Sequence, residues 1–128
     1  GSGEGRLVID GSMAGIGRLE RPLTVEVRNG LADEIRGEGA DRLIAELERA
    51  GAGSRNIAEV GIGTNPAAKL SGAVLEDEKV KGTVHVAFGD NVSMGGSVRV
   101  PLHLDGVILR PTLVVDGLTL LADGELVI

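Results

Sequence analysis

Pro22-Leu23-Thr24-Val25-Glu26-Val27-Arg28-Asn29-Gly30-Leu31-Ala32-Asp33-Glu34-Ile35 is the stretch that decides the fold class. Leu23, Val25 and Val27 alternate with polar residues, the period of a half-buried strand. Asn29-Gly30 follows at once, and that dipeptide accepts the left-handed backbone of a tight hairpin turn. Residues 31–35 then read as the return strand. Working outward, Arg6 to Gly11 reads as an earlier strand ending in a glycine turn. Residues 12–17 read as a glycine-rich loop. A phosphate-loop reading of that segment fails, because no Lys-Ser/Thr ending and no strong helix follow it.

Residues 41–50 make the one convincing helix. Leu43, Ile44 and Leu47 form its apolar stripe, and Gly51 and Gly53 stop it. Beyond it, 56–62 and 83–88 read as strands, and 66–70 and 76–81 as helical turns. Short strands are expected at 97–104, 107–109, 112–115, 118–121 and 125–128. Asp116-Gly117 and Asp123-Gly124 supply the hairpin signals. The expectation is an α+β domain: a strand-rich, mostly antiparallel curled sheet or partial barrel with one main helix.

Composition agrees. The chain has 128 residues, enough for one modest core, and 42% of them are apolar. That core is aliphatic, with one Phe and neither Trp nor Tyr. The 21 glycines fall singly between apolar runs, without the three-residue period of collagen, and imply many tight turns. The net charge of −6 and the lack of a basic cluster argue against a nucleic-acid surface. No run of about 18 apolar residues suggests a membrane span. The chain contains no cysteine, which excludes disulfides and thiolate chemistry; a cytoplasmic protein is expected. Gly1-Ser2 reads as a tag-cleavage scar.

Two histidines carry the chemical signal. His85 lies in Thr83-Val84-His85-Val86-Ala87-Phe88-Gly89, and His103 in Leu102-His103-Leu104-Asp105-Gly106. Two residues apart on a strand, His103 and Asp105 share a face, as metal chelation needs. The same spacing also suits an aspartate orienting a histidine. Glu59 interrupts the apolar run Ile57-Ala58-Glu59-Val60, and a carboxylate on a core strand needs a cation or hydrogen-bond donors. A metal site of Glu59, His85, His103 and Asp105 is therefore expected, and packing alone is the other reading of His85. Asp77 reads as a solvated acidic turn or as a support for His85. Thr64 and Asn65 read as a cap before Pro66. Asp90 and Asn91 read either as a turn or as part of a cleft wall. Neither Ser71 nor Ser93 sits in a nucleophile elbow.

Together, in order, Ala58-Glu59-Val60-Gly61, Leu75-Glu76-Asp77-Glu78-Lys79, Thr83-Val84-His85-Val86-Ala87-Phe88-Gly89 and His103-Leu104-Asp105 resemble the carboxy-terminal region of the thermophilic metallo-aminopeptidase family typified by aminopeptidase T. The resemblance runs from about Gly5 to at least Gly117. It implies a domain of residues 1–128 that lacks the family's amino-terminal α/β domain. It also implies a zinc, cobalt or manganese site on Glu59, His85, His103 and Asp105. The activity implied is release of amino-terminal residues from a peptide substrate, weak or absent without the missing domain. A homodimer is expected, since a domain parted from its neighbour exposes apolar surface. The chain departs from the family in lacking its upstream glutamate ligand, in having Val92 where a tyrosine is usual, and in its short segment 90–100. A related group of similar fold uses a His, His, Asp set to hold iron for ring-opening dioxygenation of a dihydroxypyridine; here that set would be His85, His103 and Asp105. A non-catalytic structural module is the remaining alternative.

Overall fold

The computed structural model describes residues 2–128, so Gly1, half of the proposed scar, lies outside the described residues. Eleven short strands and two α-helices follow in the order β1 (Gly5–Ile9), β2 (Ser12–Met13), β3 (Gly17–Arg18), β4 (Leu23–Arg28), β5 (Leu31–Gly37), α1 (Ala40–Ala50), β6 (Ile57–Ile62), α2 (Val74–Asp77), β7 (Val84–Gly89), β8 (His103–Ile108), β9 (Leu113–Val115), β10 (Leu118–Ala122) and β11 (Glu125–Leu126). A single 3-10 turn, Val92–Met94, lies between β7 and β8. The strands make three antiparallel sheets ordered β1-β4-β5, β3-β2-β8-β7-β6 and β11-β10-β9. The chain is thus α+β with one main helix. The sheets stay open, and no barrel closes. Among the described residues no helix is long and apolar enough to cross a membrane.

The hairpin forms as its turn chemistry demands. Asn29 and Gly30 both take the left-handed backbone, with φ of 52° and 74°, which matches the twist of β4 and β5. A bulge at Asp33 then breaks the alternation, because Glu26 pairs with Glu34 while Val27 pairs with Ala32. Ala32 and Ile35 both face the core as a result, and Leu31 is exposed. Leu43 and Leu47 of α1 close over these residues, together with Ile9, Met13, Leu23, Val25, Val27 and Phe88.

Several local expectations are corrected. The loop expected at 12–17 contains the small β2–β3 hairpin, and β2 pairs with β8 through Met13 and Gly106. Gly106 is not a turn. β8 runs straight through it, because Ile9 and Met13 pack where its side chain would be: a Cβ there would lie 2.7 Å from Ile9 Cδ1 and 2.9 Å from Met13 Sδ. Residues 97–102 are not a strand, and residues 66–70 are not helical. Asn65 does cap its turn, accepting the Ala67 N–H at 2.9 Å.

In the charged run 76–81, Glu76, Lys79 and Lys81 are exposed as expected, but Asp77 is not part of a solvated face. Asp77 is only 2% exposed. Its carboxylate accepts Ser12 Oγ at 2.8 Å and the N–H groups of Ser71 at 2.7 Å and Gly72 at 3.0 Å. It ties α2 to β2 rather than supporting His85. Asp77→Ala would orphan the buried Ser12 hydroxyl and two part-buried N–H groups, and a loss of about 3 kcal/mol is expected. Denaturant unfolding with an unchanged slope is the check; a loss under about 0.5 kcal/mol, the ordinary surface level, would contradict it.

Candidate metal centre

The five-stranded sheet builds the site on one face of β6, β7 and β8. Register sets it: Gly61 pairs with His85, Glu59 with Ala87, Ala87 with Asp105, and Gly89 with His103. Glu59 reaches this face only because β6 is bulged. Ile57 pairs with the core residue Phe88, so plain alternation would send Glu59 to the core side. Ala58 is the extra residue, and it turns Glu59 to the side of Ala87. Glu59 and Asp105 then flank Ala87 from the two neighbouring strands. Ala87, between them on β7, is fully buried.

The four expected residues come together. Glu59 Oε1 lies 3.4 Å from His85 Nε2, and Glu59 Oε2 lies 3.3 Å from His103 Nε2. His103 Nε2 is 3.5 Å from Asp105 Oδ2. Glu59, His103 and Asp105 place three ligand atoms within 4.8 Å of one another. Glu78, His85 and Asp105 form a second such group sharing Asp105. Glu78 is the residue that sequence reasoning missed. It sat in a charged run with no periodicity, and a four-residue helix has no face legible in sequence. Buried Asp77 anchors α2 against β2 and so carries its neighbour Glu78 to the site.

Two features prepare the imidazoles. The His85 ring lies across Gly61, where a Cβ would fall 2.1 Å from Nε2 and 2.3 Å from Cε1. The His103 Nδ1–H donates to the Asp90 carbonyl at 2.8 Å, which leaves Nε2 with its lone pair turned to the carboxylates. His85 Nδ1 is buried with no hydrogen-bond partner.

The electrostatics match a cation site. Burial pulls the His103 pKa down, but the Asp90 carbonyl and the Asp105 and Glu59 carboxylates outweigh it and hold the ring above its usual 6.5. Burial pushes Asp105 above its usual 3.8; His103 opposes this, and Glu78 and Glu59 add to it. Two imidazole nitrogens and several carboxylate oxygens suit borderline divalent ions such as zinc, manganese and iron. The residues fit a metal ion.

A family model described as NicX, 2,5-dihydroxypyridine 5,6-dioxygenase, matches residues 1–128. The solved structure of 2,5-dihydroxypyridine dioxygenase from Pseudomonas putida KT2440 is similar, with a TM-score of 0.85 at 22% identity. The match covers 97% of this chain and 40% of that one, so the chain spans less than half the length of that enzyme. No curated protein matches the chain. These findings overturn the aminopeptidase resemblance, and with it the metalloprotease and hydrolase readings and the reason for expecting a peptide substrate. Histidines and carboxylates on neighbouring strands suit a metal ion whatever it is used for, so the motifs Thr83 to Gly89 and His103 to Asp105 did not by themselves distinguish the two reactions.

Proposed function

The chain belongs to the 2,5-dihydroxypyridine 5,6-dioxygenase family, and from that premise we propose that it is the metal-binding domain of an enzyme that opens an electron-rich hydroxylated ring with molecular oxygen. One observation carries the reading: two imidazoles and the carboxylates of Glu59 and Asp105 converge on one sheet face, with His103 Nε2 free of other partners. His85, His103 and Asp105 would hold a divalent iron ion. When bound, such an ion supplies the redox chemistry that lets oxygen react with the ring. Glu59 and Glu78 are then two further carboxylates beside the ion, and either can accept the proton that a ring hydroxyl gives up on binding.

The test is oxygen consumption with iron(II) and a dihydroxypyridine, for this chain and for one extended to the length of the Pseudomonas enzyme. Ring opening that disappears in His103→Ala supports the proposal. Iron bound tightly by both chains with no oxygen uptake by either would overturn it.

Metal binding must follow pH. The ion has to displace the proton from His103, whose pKa stands above 6.5 in the metal-free protein. Apparent affinity should therefore rise with pH through that region and level off once the ring is neutral, changing about tenfold per pH unit for one displaced proton. Stability of the metal-free protein should move the other way. His103 and Asp105 both have raised values, so each favours the fold below its unfolded pKa and loses that contribution as pH rises through the folded one. Calorimetric titration across pH, with proton release read from buffers of different ionisation enthalpy, is the measurement. Affinity independent of pH would contradict the assignment of His103 as a ligand.

A further inference from the structure

Asp90, the first residue after β7, has its main chain and its side chain engaged in two separate ways. Its N–H donates to the Leu102 carbonyl at 2.8 Å, extending the β7–β8 ladder by one step beyond the pairing of Gly89 with His103. An ordinary ladder would return the bond, with the Leu102 N–H donating to the Asp90 carbonyl. Here the Leu102 N–H donates instead to Val100, at 2.7 Å. The Asp90 carbonyl is left for the ring of His103, which donates to it from Nδ1 at 2.8 Å.

The Asp90 carboxylate closes the loop that makes this diversion. One oxygen accepts the Val92 N–H at the loop's start and the other accepts the Val100 N–H at its end, both at 3.1 Å. Asn91 adds a second clamp, its side-chain oxygen accepting the Val98 N–H at 3.0 Å. On the other side, Asn56 Nδ2 donates to the Gly89 carbonyl at 3.0 Å and holds the end of β7.

We propose that Asp90 is a positioning residue of the metal centre: its carboxylate clamps the 90–102 loop so that its carbonyl keeps the His103 proton on Nδ1 and the Nε2 lone pair toward the ion. A free histidine side chain favours the opposite tautomer, with the proton on Nε2, so the fold holds the ring in its less favoured form. The consequence for metal binding rests on the function proposed above. The tautomer itself is a property of the metal-free protein and does not.

The test begins with nitrogen-15 NMR of the imidazoles in metal-free protein, at a pH where both rings are neutral. His103 is expected with its proton on Nδ1. In Asp90→Ala both bonds to the carboxylate go and only the Asn91 clamp remains, the His103 signals shift toward the Nε2–H form, and affinity for iron(II) or manganese(II) falls about tenfold or more. Asp90→Asn keeps one side-chain acceptor and should lie between. His85 signals and distant amides should stay in place, which separates local positioning from general loss of fold. A wild-type His103 protonated on Nε2 would overturn the proposal without recourse to any variant. So would an Asp90→Ala protein with unchanged tautomer and affinity. A tautomer that shifts in Asp90→Ala while no variant binds metal would support the positioning of the ring and overturn the metal reading instead.

Discussion

Gly61→Ala is expected to weaken metal binding about as much as removing His85, without touching a ligand. Gly61 has no left-handed backbone that forbids alanine, so the strand tolerates the substitution. The space does not. The new methyl would sit 2.1 Å from His85 Nε2, well inside contact distance, and the ring is the part that must swing away. His85 Nε2 then leaves Glu59 Oε1, its neighbour at 3.4 Å. Loss of one imidazole's placement costs about 10–100-fold in affinity, on the scale seen when groups supporting a metal ligand are removed. Titration of the variant with iron(II), manganese(II) and zinc is the measurement, beside His85→Ala. Wild-type affinity in Gly61→Ala would show that the ring's seat over Gly61 is not the one used for binding. Folding should be nearly unaffected, since Gly61 lies in an edge strand and its side of the sheet is the site rather than the core.

Phe88→Ala carries the largest expected stability loss. Phe88 is the only aromatic residue and is fully buried, packed with Ile9, Leu23, Leu43 and Leu47 on the face of β7 opposite the site. Truncation removes its transfer energy and leaves a cavity that an all-aliphatic core cannot collapse into fully. A loss of about 3–5 kcal/mol is expected. Against a typical total of about 5–15 kcal/mol that approaches global unfolding. Urea unfolding should show a lower midpoint at an unchanged slope. A shift worth less than about 1 kcal/mol would mean that the core repacks, contrary to the tight enclosure of this ring. Because Phe88 alternates with Ala87 and Gly89, metal affinity measured well below the unfolding midpoint should stay close to wild type.

Much of this protein was legible in the sequence, and the reason is locality. Asn29-Gly30, Asp116-Gly117 and Asp123-Gly124 state their turns through backbone preferences of two residues, and all three pairs take left-handed φ. The stripe Leu43, Ile44, Leu47 states the helix through its period. His85, His103, Asp105 and Glu59 announced themselves as polar residues in apolar strands, where burial demands a partner. What needed the tertiary structure were properties of pairing. The bulges at Ala58 and Asp33 reverse which side of a strand faces the core, and a one-residue insertion against a partner strand has no signature in the strand itself. Glu78 reaches the site, and Asp77 is buried, because α2 docks against β2 and β8, a contact between segments far apart in the chain. Gly61 reads as an ordinary strand position, and Gly106 falls between two expected strands; both are gaps, for His85 and for Ile9 and Met13, and only packed neighbours reveal a gap. The reaction, too, lay beyond the ligand motifs. A set of histidines and carboxylates fixes which ions can be held, not what a held ion is used for.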